Sequence, residues 1–371
     1  MNMRFMIVPV SVFLLSLIAG CSSTYTDEEL LDVEQSEPVS GEEEKEDPEM
    51  NVFDKPRAEP NLFEVCRGEK RCMDMNDYSH LTISNTVGDV VTHPAFKGFG
   101  NYILPLEWGY NPDMRLNNIA SLLPYHNYVD AERAVGYINE MIDKCSRGDK
   151  LFYDLGREDA GLFFFPGKPG APFAVFCPGG GFSYVGAIHE GFPLALELGK
   201  MGYNAFVIQY SVARGAQGAV EDLSAGIDYI FNHAYELGVS TEDYSVWGGS
   251  AGARMAAYIG SYTPAAFGDF VEARPAVVVM GYTGHSEYTR LDPPTYVVIG
   301  EDDGIASPTT MRRRVEALQS LGIDAEFHLF PNLRHGFGLG VGTSADGWMN
   351  GAVKFWEKHM NHSAGIDEVT M

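Results

Sequence analysis

Positive charge is scarce in this chain. Lys and Arg number 26 against 51 Asp and Glu, so 371 residues carry a net charge of −25. A surface this acidic repels phosphate backbones and anionic headgroups within a Debye length, which argues against nucleic-acid binding. Metal-ligand spacing is missing as well. The ten histidines contain no H-E-x-x-H or similar pair, and no metal-ligand spacing involves the cysteines beyond Cys21, so neither a metal nor any other cofactor is expected. There is no internal repeat, and the apolar run at residues 5–18 is short for a membrane span. What is abundant is core material: 45% of the residues are hydrophobic and 12% aromatic, which excludes a disordered or collagen-like chain.

Much of the acidity lies near one end. Residues 22–60 hold 14 acidic side chains against Lys45, Lys55 and Arg57, a net charge of −11. Such a stretch buries too little apolar area to offset its ordering entropy, so residues 21–60 read as an extended, self-repelling tether. Ahead of it, Arg4 supplies a positive flank to the apolar run, and Ile18-Ala19-Gly20-Cys21 follows at once. This resembles the lipobox of bacterial lipoproteins. The resemblance implies a signal peptide at residues 1–20 cleaved before Cys21, a lipid on the Cys21 thiol, and anchoring to a membrane of the bacterial cell envelope, outside the cytoplasm. An uncleaved anchor would leave that location unchanged.

Export permits disulfides, and Cys66, Cys72, Cys145 and Cys177 allow up to two, with three pairings. Cys66 and Cys72 bracket a polar loop suited to a surface turn. Cys177 lies in an apolar run and reads as a small buried hydrophobe.

From residue 151 onward short apolar runs alternate with helical patterns. Strands are expected at 161–165, 173–177, 205–208, 244–247, 276–280, 296–299 and 325–330, most of them apolar on both parities, as strands covered on both faces are. Leu223, Ile227, Ile230, Phe231 and Ala234 recur at helical spacing, and so do Met311, Val315 and Leu318. This rhythm predicts an α/β domain at 151–362, a mostly parallel sheet with helices on both faces. Residues 61–150 hold one clear helix, at 131–144, and form either a cap or packing around the sheet edge; residues 363–371 read as a frayed tail.

Four features carry chemistry. Gly248-Gly249-Ser250-Ala251-Gly252 follows one strand and precedes a helix, the context of a nucleophile elbow. Pro178-Gly179-Gly180-Gly181-Phe182 ends an earlier strand, and three consecutive glycines let backbone N–H groups approach a substrate carbonyl. Gly300-Glu301-Asp302-Asp303 and His335-Gly336-Phe337-Gly338 follow the last two strands. A serine needs a base, and an imidazole needs a carboxylate to fix its tautomer, so the order Ser, Asp, His is informative. Gly336, Gly338, Gly340 and Gly342 do not fit G-x-G-x-x-G and read as a mobile rim of the site. Phe182, Tyr282, Thr283 and His285 are candidates for a substrate pocket, with core-edge packing as the other reading of the last three.

On these motifs the domain resembles an α/β-hydrolase-fold esterase, closest to the hormone-sensitive-lipase-like and acetyl-esterase branch. The resemblance implies Ser250 as nucleophile, His335 as base, Asp303 rather than Asp302 as the orienting acid, and oxyanion donors from Gly180, Gly181 and Ala251. Pro178 and Arg254 depart from it, each standing where the branch has His. The expected reaction is carboxylic ester hydrolysis through an acyl-serine. The short interval between Ser250 and Asp303 leaves little room for a large lid, which favours short acyl groups such as acetyl on a carbohydrate alcohol. Two alternatives remain at this stage: a serine peptidase of the oligopeptidase type, and a non-catalytic surface lipoprotein that uses the fold for binding.

Overall fold

The computed structural model describes residues 78–360. Cys21, the tether, Cys66, Cys72 and the tail lie outside them. Eight strands form one sheet: β1 Phe152–Arg157, β2 Ala160–Phe165, β3 Pro172–Cys177, β4 Asn204–Gln209, β5 Ser240–Gly249, β6 Val277–Gly281, β7 Thr295–Gly300 and β8 Ala325–Phe330. Their order is β1-β2-β4-β3-β5-β6-β7-β8. The β1–β2 and β2–β4 pairs are antiparallel, and all pairs from β4 to β8 are parallel. This is an α/β-hydrolase fold. β2, β4, β6 and β7 are buried along their whole length, which is why their sequences are apolar on both parities.

Six longer helices accompany the sheet: α1 Ala131–Ser146, α2 Phe192–Met201, α3 Gly215–Asn232, α4 Ala251–Tyr262, α5 Pro308–Ser320 and α6 Trp348–His359. Local chemistry sets their ends. Asp130 caps α1 by accepting the Arg133 N–H, and Gly202, at φ 98, closes α2 in the left-handed region that a side chain disfavours.

Residues 78–150 form no ladder strand. They contribute Val90, Phe96, Ile103, Leu116, Ile119 and Ile138 to the same hydrophobic core as the sheet. Phe99 stacks on Phe152 of β1 and meets Phe163 of β2 edge-on, so this segment covers the antiparallel margin; α1 packs against α2. Among the described residues Cys145 and Cys177 carry free thiols, and Cys177 is buried as expected; burial pushes both thiols up, Cys145 to about 11.

Candidate active site

The pairing of β3 with β5 positions the site. Cys177 is level with Gly248, so the loop leaving β3 and the turn leaving β5 stand side by side at the carboxyl edge of the sheet. Ser250 has φ 52 and ψ −114, a strained conformation for a residue with a Cβ, and its N–H donates to the Gly281 carbonyl at 2.9 Å. Its flanking glycines are steric requirements. A Cβ on Gly252 would sit 1.8 Å from the Cys177 carbonyl oxygen, and one on Gly248 would sit 2.2 Å from the Gly252 backbone. Helix α4 therefore starts directly against the end of β3, leaving the serine at the apex of the turn.

Ser250 Oγ lies 2.9 Å from His335 Nε2. On the other side of the ring, Nδ1 is 2.8 Å from Asp303 Oδ2 and 3.0 Å from Oδ1. Asp303 Oδ1 also accepts the N–H groups of Ile305 (2.9 Å) and Ala306 (2.7 Å), so its own loop orients it. The Asp303 side chain is enclosed, His335 is buried, and Asp302 is exposed to solvent. The structure thus joins Ser250, His335 and Asp303 and leaves Asp302 outside. An imidazole held in this way can take the serine proton while the carboxylate stabilises the imidazolium.

Gly180 and Gly181 have φ 131 and 63. A Cβ on Gly180 would collide with the Tyr184 carbonyl at 2.0 Å. Among the described residues, no protein acceptor takes the N–H of Gly180, Gly181 or Ala251, which leaves these donors for a ligand oxygen. Phe182 is half-buried against Tyr210 at the same loop.

The sequence reading missed Glu190. Its buried carboxylate accepts the Gly179 N–H at 2.7 Å and the Tyr282 hydroxyl at 2.8 Å, and His126 Nε2 faces it at 3.0 Å. Burial alone would raise this carboxyl; the adjacent His126, helped by the Gly179 N–H, outweighs it and holds the group well below the usual carboxylate range. The Glu190 carboxylate lies under both the glycine loop and the elbow: its Oε2 would be 2.7 Å from a Cβ on Gly179 and equally from one on Gly249.

Three consecutive residues from the segment before the sheet grip this site. The Tyr125 ring lies 3.1 Å from where a Gly181 Cβ would be. His126 faces Glu190, and its Nδ1 is 2.8 Å from the Tyr184 hydroxyl. Asn127 Nδ2 donates to the His335 carbonyl at 2.7 Å, and its N–H donates to Gly336 O. No local motif marks these residues, because every contact spans a long stretch of chain.

Tyr282 is 3% exposed and its ring packs edge-on to His335, and Thr283 and His285 are buried beside it in sequence. This burial supports the packing reading of the three side chains. The alternating glycines are not a free rim. Gly336 O accepts from Asn127 and contacts His189, while Gly338 donates to the Tyr282 hydroxyl and accepts from the Trp348 indole. All four glycines have φ between 54 and 74, a left-handed path, which accounts for their number. Arg254, the departure noted after the elbow, donates to the Tyr258 hydroxyl at 2.9 Å.

Residues 166–273 match the BD-FAE family model, a stretch containing the glycine loop and Ser250 but not Asp303 or His335. Over 214 residues the chain is 23% identical to an acetylxylan esterase of Xylanibacter ruminicola; the match takes in 48% of this chain and 43% of that protein, so the chain spans less than half of the relative's length. Similar solved structures include MGS-M1, an α/β hydrolase from a Medee basin deep-sea metagenome library, with a TM-score of 0.49, 23% identity, and coverage of 56% of this chain and 96% of that one. Another is an acetyl ester-xyloside bifunctional hydrolase from Caldicellulosiruptor lactoaceticus, with a TM-score of 0.49, 21% identity, and coverage of 56% and 90%.

Proposed function

We propose that this chain is a serine carboxylic ester hydrolase acting on short-chain esters, acetyl foremost, of carbohydrates. The observation that carries the reading is the continuous contact from Asp303 through His335 to Ser250 at a strained elbow. In the proposed reaction Ser250 Oγ attacks the ester carbonyl carbon as His335 Nε2 takes its proton. The N–H groups of Gly180, Gly181 and Ala251 receive the oxyanion. Collapse breaks the bond to the alcohol, which leaves with the proton from His335, and water then releases the acid from the acyl-serine by the same route. No cofactor enters these steps.

Short acyl groups are favoured because the chain between Ser250 and Asp303 is taken up by α4, β6, β7 and the connections at 263–276 and 282–294, with no inserted lid domain. The carbohydrate alcohol is supported by the name of the acetylxylan esterase relative. For the location, the proposal is attachment to the cell envelope through a lipid on Cys21, with no role in binding nucleic acid. A burst of aryl alcohol from an aryl acetate, lost in Ser250→Ala, tests the chemistry; an active Ser250→Ala protein refutes it. Fatty-acid labelling lost in Cys21→Ser tests the anchor, and an unlabelled wild-type protein in the soluble fraction refutes that.

A further inference from the structure

Two large aromatic rings beside the glycine loop stand in solvent. Trp108 is 59% exposed and Tyr125 38%. They are nevertheless held firmly. Trp108 meets Tyr125 edge-on with centroids 5.7 Å apart and Tyr184 edge-on at 5.5 Å, while Tyr125 and Tyr184 stack at 5.7 Å. Tyr184 is buried, and its hydroxyl accepts the Tyr125 N–H at 3.1 Å. Glu107, next to Trp108, accepts the N–H of Val185 at 3.1 Å. The rings are thus tied to the chain just beyond Gly181. Their polar tips, the Trp108 indole N–H and the Tyr125 hydroxyl, bond to no protein group among the described residues.

We infer that Trp108 and Tyr125 form a platform for a sugar ring of a neutral glycan, adjacent to the position of the ester; the inference rests on the esterase reading above. A pyranose has one flat C–H-rich face and a rim of hydroxyls. A rigid, solvent-exposed ring with an unused polar tip complements both, and ordering it costs little further side-chain entropy because neighbouring rings already hold it. Distance places it correctly: Tyr125 touches the glycine loop, and Trp108 lies one ring further out. An acyl chain would need an enclosed apolar groove, which an open platform does not give. The net charge of −25 opposes an anionic glycan.

The test uses the full chain with three substrates: an aryl acetate, an aryl ester of longer acyl chain, and a neutral acetylated xylo-oligosaccharide. Trp108→Ala is expected to lower kcat/KM for the oligosaccharide relative to the aryl acetate by about tenfold, mainly through KM, with Trp108→Phe recovering most of the loss. The deacetylated oligosaccharide should bind the Ser250→Ala protein in calorimetry and lose that affinity when Trp108→Ala is added. An equal loss on all three substrates would overturn the platform, as would a loss confined to the longer acyl ester or an unchanged oligosaccharide rate. Wild-type protein that cleaves aryl acetate but neither cleaves nor binds the oligosaccharide overturns the platform and spares the esterase reading. A wild type inactive on every ester fails that reading itself, and the binding measurement then decides the platform alone.

Discussion

His126 Nε2 lies 3.0 Å from Glu190 Oε1, and each side chain is only 2% exposed. The contact ties the segment before the sheet to the glycine loop, because the other Glu190 oxygen holds the Gly179 N–H. Removing one member of a buried pair strands the other, at a cost of roughly 3–5 kcal/mol, whereas removing both costs less than the sum. His126→Gln and Glu190→Gln should each destabilise the protein strongly, and the double variant should fall short of additivity. Urea unfolding of the four proteins measures the coupling; additive losses would show that the two groups do not interact.

Glu190→Gln should also lower kcat per folded molecule more than it alters KM. The loop donors that Gly179 positions act on the oxyanion of the transition state rather than on the bound ester. Equal losses in kcat and stability, with full turnover recovered at low temperature, would reduce Glu190 to a structural role.

Ser250→Ala and His335→Ala should each cost several orders of magnitude in kcat on an aryl acetate, since the reaction then keeps only binding and oxyanion contributions, roughly 10³–10⁴ over water. Asp303→Asn should be severe, because it removes the carboxylate facing His335 Nδ1. Asp302→Asn should be mild: that side chain is exposed to solvent. Steady-state kinetics on the four variants checks the order, and a severe Asp302→Asn would move the acid by one residue.

Gly181 and Gly252 should fail in different ways. A Cβ at Gly252 meets the backbone of Cys177 at 1.8 Å, so Gly252→Ala should lose folded protein altogether. At Gly181 the nearest contact is the Tyr125 ring at 3.1 Å and φ is 63, a conformation that Asn tolerates and Val does not. Gly181→Asn should therefore fold and lose turnover, while Gly181→Val should lose melting temperature as well. Thermal melts beside turnover per folded molecule separate the cases, and a fully active Gly181→Asn protein would remove Gly181 from the site.

Ser250, Asp303 and His335 were legible because each follows a strand whose apolar run is itself legible, and because sheet order converts sequence order into proximity. The parallel strands β3 to β8 were found to within a few residues for the same reason. β1 was missed: its exposure alternates along Phe152–Arg157, as befits an edge strand, so it lacks a continuous apolar run. Glu190 and the Tyr125-His126-Asn127 stretch were invisible for a different reason. Their chemistry arises only after residues far apart in the chain meet, and a Glu ending a four-residue helical turn looks like any solvated acid. Tyr282 is ambiguous in the sequence, since a Tyr at a strand end fits a pocket wall as well as it fits a buried hydroxyl bonded to Glu190.

Acid should destabilise this fold before its carboxylates are protonated. His189 is held at about 4 by burial and then by the nearby His126, and His285 at about 3 by burial and then by Arg314 and Arg254. Both rings are neutral in the folded protein at neutral pH, and both take up protons readily once unfolded. Between the ordinary histidine value of about 6.5 and those lowered values the unfolded state binds more protons, so stability falls as pH falls through this window and levels below it. The lowered Glu190 carboxyl acts elsewhere: its stabilisation is complete above the ordinary carboxylate range and is lost only in stronger acid. Glu107, raised by burial, works in the opposite sense, gaining stability on acidification, and is common to wild type and variant. Replacing His285 by Gln should therefore flatten the dependence of unfolding free energy on pH between 6.5 and 5 by about one proton's worth. Urea unfolding at half-unit pH steps measures both slopes, and parallel slopes would mean that His285 titrates as freely in the folded protein as in the unfolded chain.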